Sequence, residues 1–352
     1  MIDVNDTISL IQAAEQIKPA ATFLTEIFFP TVEVSPTPTI MMEYRKRGRE
    51  PLAPYVVEGS KGIAIKRGGS KMRVYSPPLL GPKRILTHAD VMKRAFGEMP
   101  YFSTVSAEER ATKIQADDLL DLITMVTNRK NQMASELLST GKITIEGYAD
   151  DGLLTRIDEI EFEHNSDAVI MVPWSNANAK IYEDLQSMSE TIQEEAGIVP
   201  TVLIVGKNVP GYLLKNATLK DWLMIPNRAT GAFMAFEPTY KLPSVQYIGQ
   251  LTALNLEIYC YNETYVGDDG NIKRYVGENE IIMGVPGRGT VQHAAVTLID
   301  DGESGFRSYA AQYIPSYTVN KEANQMTLTL WSKCLLVPNY ACDWVHATVA
   351  TQ

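Results

Sequence analysis

The sequence is poor in the residue types that carry chemistry. Its 352 residues include three cysteines and four histidines. Cys260, Cys334 and Cys342 are too few and too scattered for a disulfide framework, and they read as small hydrophobes in a reducing compartment. His88, His164, His293 and His346 share no metal-ligand spacing, and neither His-Glu-x-x-His nor Cys-x-x-Cys occurs. No apolar run has the length needed to span a bilayer. The opening Met-Ile-Asp-Val-Asn-Asp has no basic region and no apolar core, so no secretory signal is expected. A net charge of −10 argues against a surface built throughout to hold nucleic acid. These absences predict a soluble cytosolic product with no cofactor and no metal.

Catalytic motifs are equally thin. Cys334 or Cys342 could face His346 as nucleophile and base, but an inert buried thiol accounts for either cysteine as well. Gly284-Val285-Pro286-Gly287-Arg288-Gly289 follows a strand, yet Pro286 and the lack of a helical pattern after it argue against a dinucleotide turn. Arg67-Gly68-Gly69-Ser70 lacks the ending of a phosphate loop. Glu159, Glu161 and Glu163 alternate along an expected strand and read as a solvated or inter-subunit face. No residue is assigned a catalytic role.

What the chain does contain needs partners. Ser106 to Gly141 has neither proline nor glycine until its end, and Ser106 with Glu109 forms a capping box. Ala116, Leu119, Ile123, Val126, Met133 and Leu137 make one apolar stripe, which predicts a helix of roughly 50 Å that acts as a strut. Before it, residues 40–84 hold eleven basic side chains against Glu43, Glu50 and Glu58, a net +8. With −10 for the whole, the remainder carries −18. Ile40–Tyr44 and Met72–Tyr75 read as the legs of a long hairpin with a glycine-rich tip, too poor in large apolar residues to form its own core. A basic arm on an acidic body points to contact between copies. The first thirty residues form an apolar leader, with a helical pattern over Thr7–Ile17 and then Phe23, Leu24, Ile27, Phe28 and Phe29. With nothing local to bury it, the leader must lie against the body or a neighbour.

Further along, residues 142–147 and 157–162 read as strands joined by an Asp150-Asp151-Gly152 turn. From Pro173 the pattern becomes α/β. Ser175 or Asn176 caps a helix with Ile181, Leu185, Met188 and Ile192 inward, and Gly197 ends it. Thr201–Val205 is a strand covered on both faces, Val209–Lys215 a helix, and Leu256–Tyr261 a strand. Gly267-Asp268-Asp269-Gly270 is a hairpin turn. Met326–Trp331 and Val345–Val349 are the clearest late strands.

In this order the parts resemble the lambda-type major capsid protein of tailed phages, the phage capsid E family. Phe23-Leu24-Thr25-Glu26-Ile27-Phe28-Phe29-Pro30 is similar to its N-terminal arm, and Tyr55–Tyr75 with Lys66-Arg67-Gly68-Gly69 to its extended loop. Leu256–Tyr265 with Gly270–Val276 is similar to the apical hairpin, and Leu335-Leu336-Val337-Pro338 with Val345–Val349 to the C-terminal end. The resemblance implies an α+β tailed-phage major capsid fold in an L-shaped subunit. Residues 1–39 would be the arm, 40–84 the extended β-hairpin loop, and 85–170 the peripheral domain with its spine helix at 106–140. Residues 171–289 would be the axial α/β domain, 290–330 a return to the peripheral domain, and 331–352 strands joining the axial one.

By the same resemblance the chain assembles as hexamers and pentamers into an icosahedral head that encloses phage DNA without sequence-specific binding. It would be made in the host cytoplasm, with decoration, scaffolding and portal proteins as candidate partners and no membrane. The expected inter-subunit contacts are Phe23, Phe28, Phe29, Arg45, Lys46, Arg47, Arg49, Lys66, Arg67, Lys71 and Arg73. Three other readings compete: the shell of a cargo-enclosing bacterial nanocompartment, a nucleic-acid binder using the hairpin, and an enzyme on the α/β unit. The hairpin's aromatic residues, Tyr44, Tyr55 and Tyr75, are not interleaved for base stacking.

Overall fold

A computed structural model describes residues 11, 14, 22–45, 52–56, 58, 70–92, 107–148, 154–164, 167–176, 178–216, 219, 234–299 and 305–350. The chain begins with α1 (Phe23–Phe28), β1 (Thr31–Val34) and a hairpin of β2 (Ile40–Arg45) and β3 (Ser70–Tyr75). β4 (Lys83–Thr87) and α2 (His88–Met92) lead to α3 (Ala107–Thr140), and a second hairpin pairs β5 (Lys142–Tyr148) with β6 (Leu154–Glu161). The middle holds α4 (Ile181–Ala196), β7 (Val202–Val205), α5 (Val209–Lys215), β8 (Met234–Leu242), β9 (Val245–Leu251) and β10 (Leu256–Tyr261). A short hairpin of β11 (Thr264–Val266) and β12 (Ile272–Arg274) precedes β13 (Glu280–Gly284). The rest is β14 (Gly289–His293), β15 (Val296–Ile299), β16 (Phe306–Tyr309), β17 (Ile314–Asn320), β18 (Gln325–Trp331), β19 (Cys334–Pro338) and β20 (Trp344–Thr348).

α3 is the expected strut, 34 residues and so about 51 Å long at 1.5 Å per residue. Gly141 ends it in the left-handed region at φ 71, its N–H donating to the Leu137 carbonyl at 2.8 Å. The Ser106 cap lies outside the described residues. Leu119, Leu122, Ile123, Val126, Met133, Ala134, Leu137 and Leu138 are buried, whereas Ala116, expected in the stripe, is exposed. Three polar residues share the buried face. Lys130 donates to the Tyr313 hydroxyl at 3.3 Å, Thr127 lies 3.2 Å from it, and Asn131 donates to the Tyr261 hydroxyl at 2.9 Å.

The six-stranded sheet runs β20-β13-β7-β10-β9-β8, and only the β7–β10 pairing is parallel. β7 is buried throughout, as its apolar run predicts. Leu203 and Val205 join the cluster beneath α4, while Val202 and Ile204 join a larger one with α1 and the C-terminal half of α3. α4 begins at Ile181, later than Ser175 or Asn176 would cap it; Asn176 makes a local turn, its side chain accepting from the Asn178 N–H at 3.1 Å. β8 and β9 were not anticipated. β8 contains Pro238 and two register breaks, which place it at the sheet edge.

Of the two covers expected for the apolar leader, body or neighbour, the segment after residue 22 takes the body. α1 packs into the chain's own main core, where Phe23, Leu24, Phe28 and Phe29 are buried. Phe23 lies 5.3 Å from Tyr259 and 5.4 Å from Tyr261 between ring centroids. β1 then pairs in parallel with β14, which pairs with β19. Ile11 and Ala14, the described residues of the earlier helical pattern, are helical and pack against clusters around Ile314 and Tyr313. β4 joins β17 and β18 in a separate sheet beside the first half of α3.

Candidate inter-subunit interface

Alternation in β2 decides how the basic hairpin sits. Ile40, Met42 and Tyr44 point inward and are buried, and the Tyr44 ring meets Phe162 edge-on at 5.5 Å. The free edge of β2 is closed by the C-terminal segment: the Arg45 N–H donates to the Asn339 carbonyl at 2.9 Å, and the Arg45 carbonyl accepts from the Ala341 N–H at 3.1 Å. β3 is tied to β6, with the Tyr75 hydroxyl donating to Asp158 Oδ2 at 2.7 Å and Lys71 paired to Glu163 just past its end. One face of the hairpin base is therefore fixed to the body. On the other, Met41 lies opposite Val74 and Glu43 opposite Met72, all exposed. Further along the same connection Leu52 and Tyr55 are fully exposed. Large apolar side chains left in water on a basic arm mark a surface made for contact.

The structure sorts the expected contact residues into three groups. Phe23, Phe28 and Phe29 are buried in this chain's own core. Arg45 and Arg73 are exposed on the hairpin, and Lys71, on the same strand as Arg73, meets a carboxylate of its own chain. Lys46, Arg47, Arg49, Lys66 and Arg67 lie outside the described residues. Of the three alternating glutamates, Glu159 and Glu161 face Lys142 at 2.8 and 3.9 Å, while Glu163 takes a left-handed φ of 56 beyond the strand and turns to Lys71.

Several titratable groups are buried in the fold. Arg288 Nε lies 3.1 Å from Asp343, and burial pushes that carboxyl up to about 6 against the pull of the guanidinium. His164 stacks on Trp344 at 4.5 Å and is lowered by burial. His293 is enclosed, pushed down to about 2 by burial with Lys130 adding to it, and stays neutral. All three cysteines are buried, and burial raises the Cys260 and Cys334 thiols away from the reactive thiolate. Among the described residues no cluster of three or more histidine, cysteine, aspartate or glutamate side chains could hold a metal ion. A groove of about 970 Å³ runs beside α3, and several of its charged side chains are paired with one another, as in Arg129–Asp268 and Lys273–Asp269. Asp343 and Lys130 gave no sign in the sequence, since an isolated charge in an apolar stretch looks like a solvated one.

A family model described as Phage major capsid protein E matches residues 6–349. The P21 prophage-derived major head protein of Escherichia coli O6:H1 (strain CFT073) and the major capsid protein of Enterobacteria phage P21 are each 21% identical over 344 residues, which is 92% of this chain and 93% of theirs. Among solved structures, a putative capsid protein of an E. coli CFT073 prophage superposes with a TM-score of 0.71 at 16% identity, covering 98% of this chain and 99% of that one. A phage-related protein from Bordetella bronchiseptica RB50 gives 0.52 at 12% identity, with 99% and 98% covered. Both likenesses are of fold.

Proposed function

The chain belongs to the phage major capsid protein E family and is a structural component of a phage head, and we propose that its basic hairpin is the element by which adjacent copies grip one another in the shell. The observation that carries this is the two-sided hairpin base, whose inner face is locked to the body while Met41, Met72 and Val74 face solvent. Copies assemble as hexamers and pentamers, with the six-stranded sheet and its helices toward the axis of each ring and α3 as spine of the peripheral part. The division at 171–289 and the C-terminal return follows this reading. Shells form in the host cytoplasm around scaffolding and portal proteins, take decoration proteins on the outside, and hold DNA through no sequence-specific site. The chain performs no catalysis.

The test reverses Arg45, Arg47, Lys66 and Arg67 together to glutamate. Each exposed ion pair is worth only about 0–1 kcal/mol, but every interface of a closed shell repeats the contact. The variant is expected to unfold like the parent and to yield no particles in electron microscopy, and raised salt should weaken parental assembly in the same direction. Normal particles with DNA affinity lost would favour the nucleic-acid reading instead.

A further inference from the structure

Both legs of the basic hairpin are held through one dipeptide. Glu163 takes Lys71 of β3, and its left-handed backbone turns the chain before His164. The His164 Nδ1–H donates to the Ala341 carbonyl at 2.8 Å, and the Ala341 N–H donates at 3.1 Å to the Arg45 carbonyl, which ends β2. The imidazole lies flat on Trp344 of β20, 4.5 Å away with 7° between the planes. Its stem fills the space beside Gly141 at the end of α3, where an added Cβ would stand 2.5 Å from the His164 Cβ. His164 therefore touches the long helix, the six-stranded sheet and the segment that closes the hairpin base. With Nδ1 committed as a donor, the neutral ring leaves Nε2 as a bare acceptor. That atom is buried without a hydrogen-bond partner, and Asp167 Oδ1 stands 4.0 Å off on a side chain 67% exposed.

We propose that His164 is a proton-operated latch on the hairpin base, closed while its ring is neutral and opened when Nε2 takes a proton. Its consequence for assembly rests on the hairpin bridging subunits. The proton places a charge in an enclosed site with no acceptor in hydrogen-bond reach. The ring satisfies that charge by swinging out to Asp167 and water. The Ala341 carbonyl then loses its donor, and the edge on which β2 rests loosens. Burial lowers the ring below the ordinary histidine value of 6.5 and outweighs the Ala341 bond and the charges of Asp167 and Glu195, which favour the proton. His346 acts in the same direction as burial; it faces Asp167 at 3.9 Å and Glu280 at 3.7 Å. The opened chain therefore binds the proton first. The latch is at full strength above about pH 6.5 and weakens as pH falls toward the lowered value of the closed state. Asp343, next to Trp344 and paired with Arg288, changes stability with the opposite sign, so a local measurement is needed.

Hydrogen exchange on the unassembled chain reads the latch by itself. Protection of the Arg45 and Ala341 amides, corrected for intrinsic rate, is expected to fall by up to about tenfold per pH unit below about pH 6.5, while the β7 amides keep theirs. His164→Asn sets an amide donor near the Nδ1 position without a titrating ring, and its protection is expected to stay level over the same range. His164→Phe keeps a stacking ring but has no donor, and is expected to be weakly protected at every pH. Parental protection that ignores pH, or that falls equally in His164→Asn, overturns the latch. Should the variants not fold, the parental His164 ring decides by NMR titration: an inflection below about pH 6.5 supports the latch, and one at or above it overturns it. Particle formation then separates the two readings. A parental chain that loosens at about pH 5.5 yet assembles at its neutral rate keeps the latch and counts against the hairpin as the bridge.

Discussion

The N-terminal segment and the basic hairpin share one trait in sequence, the lack of a local core, and differ in the folded chain. The first is absorbed: Phe23, Leu24, Phe28 and Phe29 fill the space between α3 and the six-stranded sheet, and β1 adds a strand to β14. The second keeps one buried face and leaves the other in water. The difference lies in period. Phe23–Phe28 is helical and presents its aromatic rings on one side, so a single docking event buries them. β2 alternates, so half its side chains must face away from whatever holds the other half. An apolar strand with one covered face advertises a partner in a way that an apolar helix does not.

The sharpest way to break this contrast is to remove the absorbed segment. Deletion of residues 1–30 is expected to abolish the cooperative folding of the monomer, and Phe28→Ala alone to cost about 3–5 kcal/mol, read by denaturant unfolding of the unassembled chain. If the truncated chain unfolds like the parent, α1 is an external arm after all. Next in size is a pH effect beside the same rings. Asp343 shares a small space with Phe28, Phe29 and Arg288, and its carboxyl sits near 6 instead of 3.8. The folded state therefore holds a proton that the unfolded state has released between about pH 4 and 6. Stability from this group rises as pH falls through that window, by about 2–3 kcal/mol at the extreme. Asp343→Asn should flatten that part of the profile, and an unchanged profile would refute the assignment.

A smaller effect probes the fit of the segment. A Cβ at Gly289 would stand 2.1 Å from Phe29 Cδ1 and 2.9 Å from the Phe28 carbonyl. Gly289→Ala is expected to destabilise by about 1–3 kcal/mol, and pairing it with Phe29→Leu should recover part of that loss in a double-mutant cycle.

Sequence reading reached the long helix, the buried strand β7, the hairpin and the acidic turn at Gly267–Gly270, because each depends on local period or turn chemistry. It missed what depends on distant partners. Lys130 and Asn131 look like solvated helix positions until Tyr313 and Tyr261, more than a hundred residues away, are placed against them. β8 is hidden by Pro238, which only an edge position tolerates. Lys71 is expected at an inter-subunit contact because charge composition shows that a partner is needed without showing which chain supplies it. The described contact, Glu163, lies past a strand end at a left-handed residue, a position that alternation along the strand does not foresee.

That contact supplies the smallest and most discriminating effect. Lys71 and Glu163 are 49% and 29% exposed, so the pair is screened by water, and Lys71→Ala should cost the monomer only about 0–1 kcal/mol. Its consequence for assembly should be larger than its consequence for stability. Tyr75 to Asp158 and Lys71 to Glu163 are two side-chain ties from β3 to the β5–β6 side of the body, and Lys71 is the one nearer the hairpin tip. Loss of this tie leaves the folded body intact but loosens the hold of the body on β3, which lowers the effective concentration of the arm at its neighbour. Lys71→Ala is therefore expected to slow particle formation while thermal unfolding stays within experimental scatter, and Glu163→Ala to do the same. The double variant should be no worse than either single one, since both remove one bond. If assembly rates are unchanged in all three, the orientation of the hairpin is set by β2 and its bonds to Asn339 and Ala341 alone, and the ion pair is a bystander of the fold.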